Sequence, residues 1–492
     1  MSFQRTMFRI VLLIMVGAIH GPTDTAIAQQ DIGAERPNVV MIVIDDLNDW
    51  VGCLGGHPQV QTPHIDSLAK RGVTFTNAHC QAPICNPSRI SMLLGQLPST
   101  TGHYFLTPGF RDVEVTRNAE TLFQSVRRQG YRTETMGKIF HASADKPSFD
   151  LAQRSKGIRG LPKKLHYDLP GSHPLWDWGQ VDFPDEDQRD YHTASWAAQR
   201  FPELAKADQP FVMAVGFYLP HVPIYASKKW FDLYPMDELV MPTVPEGDLD
   251  DVPPIAIELS KNMTAPRNEW MIENGEDKEA VRAYLASISF VDHLVGMVLD
   301  SVQKSGHSDD TLVVLLSDHG FHLAEKNKWA KRSLWERTTR VPLLVAGPGI
   351  ANNARCDAPV GLIDVYPTLL DLCALPQQEN LDGHSLRPLL EDVQSPWQHP
   401  AICTFGPGNH SVHSTDYHFI RYRDGSEELY DRRSDRLEQY NLANDSSMSS
   451  VLDEHRKWIP QNDAPMVPGS RGSDSPLYGE SNGLQKAMKR EK

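Results

Sequence analysis

Residues Val39-Val40-Met41-Ile42-Val43-Ile44 form an unbroken apolar run that stops at Asp45-Asp46. Five of the six are β-branched, and no polar residue interrupts them. A strand with one wet face would alternate; this one reads as buried on both faces, as in a parallel sheet covered by helices. Working outward, residues 311–316 repeat the pattern and end in Ser317-Asp318-His319-Gly320. Residues 211–218 do so again before Pro220-His221, residues 131–136 before Gly137-Lys138, and residues 341–346 give a fifth strand. Helical patterns at 63–71, 119–129, 191–205, 278–305 and 362–375 lie between them. Strands alternating with helices predict an α/β fold with a large, mainly parallel (mixed) sheet sandwiched by helices.

The polar residues sit just past the C-terminal ends of these strands. In open α/β sheets that rim is where ligands bind. Four strands therefore deliver Asp45 and Asp46, Asp318 and His319, His221, and Lys138 to one edge. Singly, each is an ordinary strand-end or turn residue; repeated on four strands, they read as a site. Three carboxylates brought together repel one another, and a hard divalent cation relieves this. Three acids and one imidazole favour Ca²⁺, with Mg²⁺ second and Mn²⁺ third.

A second cluster lies in Cys85-Asn86-Pro87-Ser88-Arg89. Pro87 suits the first position of a helix, where its missing N–H has no partner to lose. Cys85 then stands just before the helix, where free N–H groups and the dipole favour negative charge. Arg89, one turn in, can reach back to that anion site. The bland alternative is a small buried hydrophobe.

This run resembles the maturation signature of type I sulfatases, Cys-x-Pro-Ser-Arg with Gly95 six residues beyond the Arg. Many members carry Thr where this chain has Leu94. The resemblance continues in the same order along residues 36–445: Asp45-Asp46, the Cys85 run, Gly137-Lys138-Ile139-Phe140-His141, Phe217-Tyr218-Leu219-Pro220-His221-Val222-Pro223, and Asp318-His319. Many sulfatases have Asp-Asn at the last pair; the Asp-His form, and Trp329-Ala330-Lys331, are similar to the iduronate-2-sulfatase branch. The resemblance implies an alkaline-phosphatase-like fold and oxidation of Cys85 to formylglycine by a formylglycine-generating enzyme. It implies a Ca²⁺ held by Asp45, Asp46, Asp318, His319 and modified residue 85. Arg89 and Lys138 would stabilise the hydrated aldehyde, and His141 would serve as base on its second hydroxyl. His221 and Lys331 would hold the sulfate and protonate the leaving oxygen, with Lys138 also contacting substrate. The reaction implied is sulfate-ester hydrolysis through a covalent sulfo-enzyme, on a sulfated carbohydrate such as a glycosaminoglycan. Each of these residues also has a plain structural reading. Lys331 has it most clearly, because Lys326, Lys328 and Arg332 flank it in what can be a solvated basic face.

Length and charge are consistent with this frame. The chain has 492 residues, 40% of them hydrophobic, enough for a large core. Arg5 and Arg9, an apolar run over 10–19, and Ala26-Ile27-Ala28 read as a secretory signal cleaved near Ala28, giving a periplasmic or secreted protein. The apolar run is too short for a permanent span, and no later stretch reads as one. Net charge is −15, so a nucleic-acid partner is not expected. Six cysteines allow disulfides after export; conversion of Cys85 would leave at least one unpaired. Residues 1–28 are the signal, 29–395 the catalytic domain, 396–465 a smaller C-terminal α+β subdomain with a short antiparallel sheet, and 466–492 a flexible tail. Residues 142–190, irregular and holding Trp176 and Trp178, read as a binding loop or a surface insertion. Two rivals share these features: a phosphate or phosphonate ester hydrolase of the same fold, and a non-catalytic glycan-binding protein whose Cys85 stays a thiol.

Overall fold

The apolar run at Asn38–Asp45 (β1) is the centre of an eight-stranded sheet. The computed structural model describes residues 36–166, 175–261 and 265–471; the signal segment 1–28 and residues 472–492 of the expected tail lie outside them. The other sheet strands are β2 (Gly72–Phe75), β3 (Arg132–Gly137), β4 (Leu151–Gln153), β5 (Phe211–Pro220), β6 (Thr311–Ser317), β7 (Leu343–Ala346) and β8 (Ala354–Cys356). Their order across the sheet is β8-β2-β7-β6-β1-β5-β3-β4. β1 is parallel to both neighbours, with Ile42 opposite Val215 on β5 and Leu315 on β6. Only β7 runs antiparallel, against β2 and β6, so the sheet is mixed as expected.

The two-sided burial of β1 follows from its period of two. Val40, Ile42 and Ile44 enter one core, and Val39, Met41 and Val43 the other. The first core is closed by α1 (Pro63–Ala69), α4 (Arg189–Leu204) and α5 (Glu276–Lys304), through side chains such as Leu68, Phe201 and Leu285. The second is closed by α2 (Cys85–Leu94), α3 (Leu122–Arg128) and α6 (Val365–Leu372), through Met92, Phe123 and Leu369. Each fully buried side chain of this kind contributes about 1.5–3 kcal/mol. α5 is long and apolar enough to cross a membrane, which the sequence reading did not anticipate. It lies against the sheet instead, with Tyr284, Ile288, Val291 and Val295 in the core.

A four-stranded antiparallel sheet forms the smaller C-terminal subdomain: β9 (Ala401–Thr404), β10 (His410–His413), β11 (Tyr417–Arg421) and β12 (Glu427–Asp431). Its helix α7 (Ser449–Arg456) helps bury Phe419 and Leu429 in a third core. Trp176 and Trp178 are buried, at 4% and 0% exposure, so they anchor their loop and present no open ring for a sugar. Cys85 is the first residue of α2 and Pro87 the third, two positions later than expected. The helix closes early because Ser88 N–H reaches the Ile84 carbonyl at 3.2 Å. The third position is still within the first turn, where a missing N–H costs nothing.

Candidate active site

The acidic turn is built by the backbone around it. Asp46 has a positive φ of 63°, and its N–H donates to Asp318 Oδ1 at 3.2 Å. Tyr284 Oη donates to the Asp46 carbonyl at 2.7 Å and accepts from Asn48 N–H at 3.0 Å. Ser317 Oγ accepts from Leu47 N–H and donates to the His319 carbonyl, both at 3.0 Å. Ser88 Oγ donates to the Asp318 carbonyl, tying α2 to the end of β6. Tyr284, Ser317 and Ser88 escape sequence reasoning, because a helix Tyr and two Ser carry no pattern of their own.

Cys85 lies where the strand ends converge. Its Sγ is 3.0 Å from Lys331 Nζ, 3.2 Å from His319 Nε2 and 3.8 Å from Lys138 Nζ. His141 is within hydrogen-bonding reach of the same sulfur. Burial works to raise the thiol's pKa, but Lys138, Lys331 and His319 outweigh it and hold it well below the ordinary value. The pocket is therefore tuned for an anion at position 85.

Arg89 is consumed by the scaffold. Its Nε donates to Asp318 Oδ2 at 2.8 Å, its Nη2 to Asp45 Oδ1 at 3.2 Å, and its Nη1 to the carbonyls of Lys138 and Ile139. One buried guanidinium thus fixes two carboxylates and the β3 exit loop. Lys138 pairs with Asp45, and Lys331 Nζ bonds Asp46 Oδ1 at 2.6 Å. Burial disfavours charge on Lys331, yet Asp46 and Cys85 override it and raise its pKa, so the ammonium persists. His221 sits past β5, close enough for its charge to act on Asp45. Its Nδ1 faces the Val222 carbonyl at 2.7 Å and must carry a proton there. Asp190 holds that loop, its Oδ2 accepting from Tyr218 and Leu219 N–H at 2.8 Å each.

All ten residues predicted for the site therefore reach one rim. The solvated-face reading of the basic segment fails, since Lys326, Lys328, Lys331 and Arg332 are all buried. Lys326 binds Asp248, and Lys328 donates to the Ser260 carbonyl. All six cysteines are free thiols.

The donor set fits a hard cation. Ligand atoms of Asp45, Asp46, Cys85 and His319 lie within 4.8 Å of one another. Asp46 Oδ2 is buried without a hydrogen-bond partner, and such an orphan carboxylate oxygen needs positive charge. Asp318 stands slightly outside the tightest group, with Oδ2 3.6 Å from His319 Nε2, because Arg89 holds it. Burial pushes its carboxyl up to about 6, against the pull of Arg89 and His319.

A mixed αβα sheet with an acid-lined, cation-ready pocket at its C-terminal rim defines an alkaline-phosphatase-like ester hydrolase. The sulfatase family model matches residues 37–374, and a model of the N-sulphoglucosamine sulphohydrolase C-terminal region matches 324–464. The chain belongs to the sulfatase family and is a sulfuric ester hydrolase. A sulfatase of Formosa agariphila is 38% identical over 91% of this chain and 90% of its own length. Human iduronate 2-sulfatase is 30% identical over 63% of this chain and 60% of its own. The solved structure of BT1596, a 2-O GAG sulfatase, is 23% identical, with a TM-score of 0.68 over 86% of this chain and 91% of that one.

Proposed function

We propose that the chain is an exported, Ca²⁺-dependent sulfatase that uses formylglycine at position 85 and a covalent sulfo-enzyme to desulfate a carbohydrate of the glycosaminoglycan type. One observation carries the reading: Lys331, His319, Lys138 and His141 all converge on Cys85 Sγ beside three carboxylates. That sulfur marks where an oxygen of the hydrated aldehyde would sit. The similarity to iduronate 2-sulfatase, and the fold shared with a 2-O GAG sulfatase, support the substrate class.

Asp45, Asp46, Asp318 and His319 would hold the Ca²⁺ together with residue 85; when bound, it would neutralise the carboxylates and acidify the attacking hydroxyl. The remaining chemistry falls to the chain. Lys331 and Lys138, paired with Asp46 and Asp45, would face the anionic sulfate, and Asp46 helps keep Lys331 charged. A strongly held ammonium is a poor proton donor, so Lys331 serves as clamp and His221 protonates the departing alcohol. Burial lowers the pKa of His141, leaving it neutral and able to take a proton from the second hydroxyl. Loss of that proton lets the carbonyl re-form as sulfate leaves.

Intact and peptide mass after export from a host with the maturation enzyme should show loss of residues 1–28 and a lighter residue 85. That protein should release sulfate from sulfated oligosaccharides and outpace its own rate on aryl phosphate or phosphonate. An unconverted thiol with no turnover points to a binding protein, and dominant phosphate or phosphonate hydrolysis to the same-fold rival.

A further inference from the structure

The rim carries a small hollow lined on one side by His221, whose other polar groups are not used by the chemistry above. Its floor is Tyr218. Arg159 and Arg189 each stack their guanidinium on that ring, 5.0 Å from its centroid. Lys138, at 5.9 Å from the same ring, links the hollow to the sulfate pocket. Neither Arg159 nor Arg189 has a hydrogen bond or ion pair from its side chain among the described residues, and Arg189 Nε is buried without a partner. Gln188, 4% exposed, also lines the hollow with its Nε2 buried and unpartnered. The acid in the lining is Asp190, whose Oδ1 is likewise unsatisfied.

The arrangement is built rather than incidental. Ile158 accepts from Arg189 N–H at 2.9 Å and donates to the Asp187 carbonyl at 2.7 Å. This bridge fastens the 142–190 segment to the start of α4 and brings both arginines to the Tyr218 ring. Two like charges held together with a buried unpaired amide donor call for an anion. The enclosed space is small, about 20 Å³, on the scale of one small polar group. The free Asp190 oxygen suits a hydroxyl next to that group.

We infer that this hollow binds a second anionic substituent, a carboxylate or a further sulfate, on the same sugar whose ester is cleaved. The inference rests on the proposed sulfatase reading and deepens it: the substrate would be doubly anionic, and Arg159, Arg189 and Gln188 would set its specificity. Arg159 and Arg189 would clamp the group bidentately, with Tyr218 holding the planes in place.

The test uses the full-length matured enzyme and four substrates. These are a sulfated sugar bearing a carboxylate, one bearing a second sulfate, one with neither, and a neutral aryl sulfate. The wild type should favour one of the two doubly anionic sugars over the singly sulfated sugar through KM. Arg159→Gln and Arg189→Gln should each cut that preference by roughly tenfold, the loss of a charge-assisted hydrogen bond. Arg159→Lys should recover part of it, which a folding defect would not do. Which sugar loses its preference tells carboxylate from sulfate. Equal selectivity in wild type and both Gln variants overturns the inference while leaving the sulfatase reading intact. A matured wild type that cleaves none of the four esters overturns the reading beneath it.

Discussion

Asp46 shows how one residue sets the demands of the whole pocket. One carboxylate oxygen is bound to Lys331 at 2.6 Å, and the other is buried with no partner. A buried acceptor left unsatisfied costs about 1–3 kcal/mol, and a charged one costs more. Ca²⁺ bound there would remove that cost and tie activity to folding. Chelation of the matured enzyme should therefore abolish sulfate release and lower Tm, and added Ca²⁺ should restore both. Asp46→Asn should raise the Ca²⁺ concentration for half-recovery at least tenfold, roughly the loss of a charged ligand. Recovery curves of activity against free Ca²⁺ would read this directly; indifference to chelator in both proteins would remove the metal from the account.

At the scale of elements, the centre of the sheet carries most of the stability. Ile42 on β1 is fully buried between β5 and β6 and faces α5. Ile42→Ala should cost about 2–5 kcal/mol by combining lost transfer energy with a cavity that a central strand cannot close. Denaturant melts should show the midpoint fall with little change in slope; a loss under 1 kcal/mol would mean the sheet relaxes around the gap. The same centrality made β1, β5 and β6 legible in the sequence, since burial on both faces leaves no polar interruption. β2, β4 and β8 were not legible. They are three or four residues long, two of them are the sheet edges and the third lies next to one, and their identity comes from pairing partners far away in the chain, such as Val73 with Val345. The site residues on the rim were readable because strand ends repeat one ending. The supporting Tyr284 and Ser317, and the arginine pair on Tyr218, depend on contacts made only after folding.

Across the whole molecule, the C-terminal subdomain is joined to the catalytic body through buried histidines. His79 from the body stacks on His413 with centroids 3.5 Å apart, and His413 stacks on His418 at 3.9 Å. His79 Nε2 bonds Asn77 Oδ1 at 2.8 Å, and His418 Nδ1 bonds Glu438. Burial drives the pKa of His79 and of His413 well below the ordinary imidazole value, aided at both by Arg432 and His418; Arg340 adds to it at His79 and His455 at His413, and Glu336 opposes it at His79. Both rings are thus neutral when folded but take up protons near pH 6.5 when unfolded. The unfolded chain then binds more protons, so stability is full above that pH and falls as pH drops below it. Each histidine contributes a slope approaching 1.4 kcal/mol per pH unit. Thermal melts from pH 7.5 to 5 should show a Tm that declines below about 6.5, with protease cutting between residues 396 and 416 appearing first. His413→Gln should flatten the decline at the expense of Tm at pH 7.5. A Tm flat from pH 7.5 to 5 would show that the stacked imidazoles do not couple the two parts.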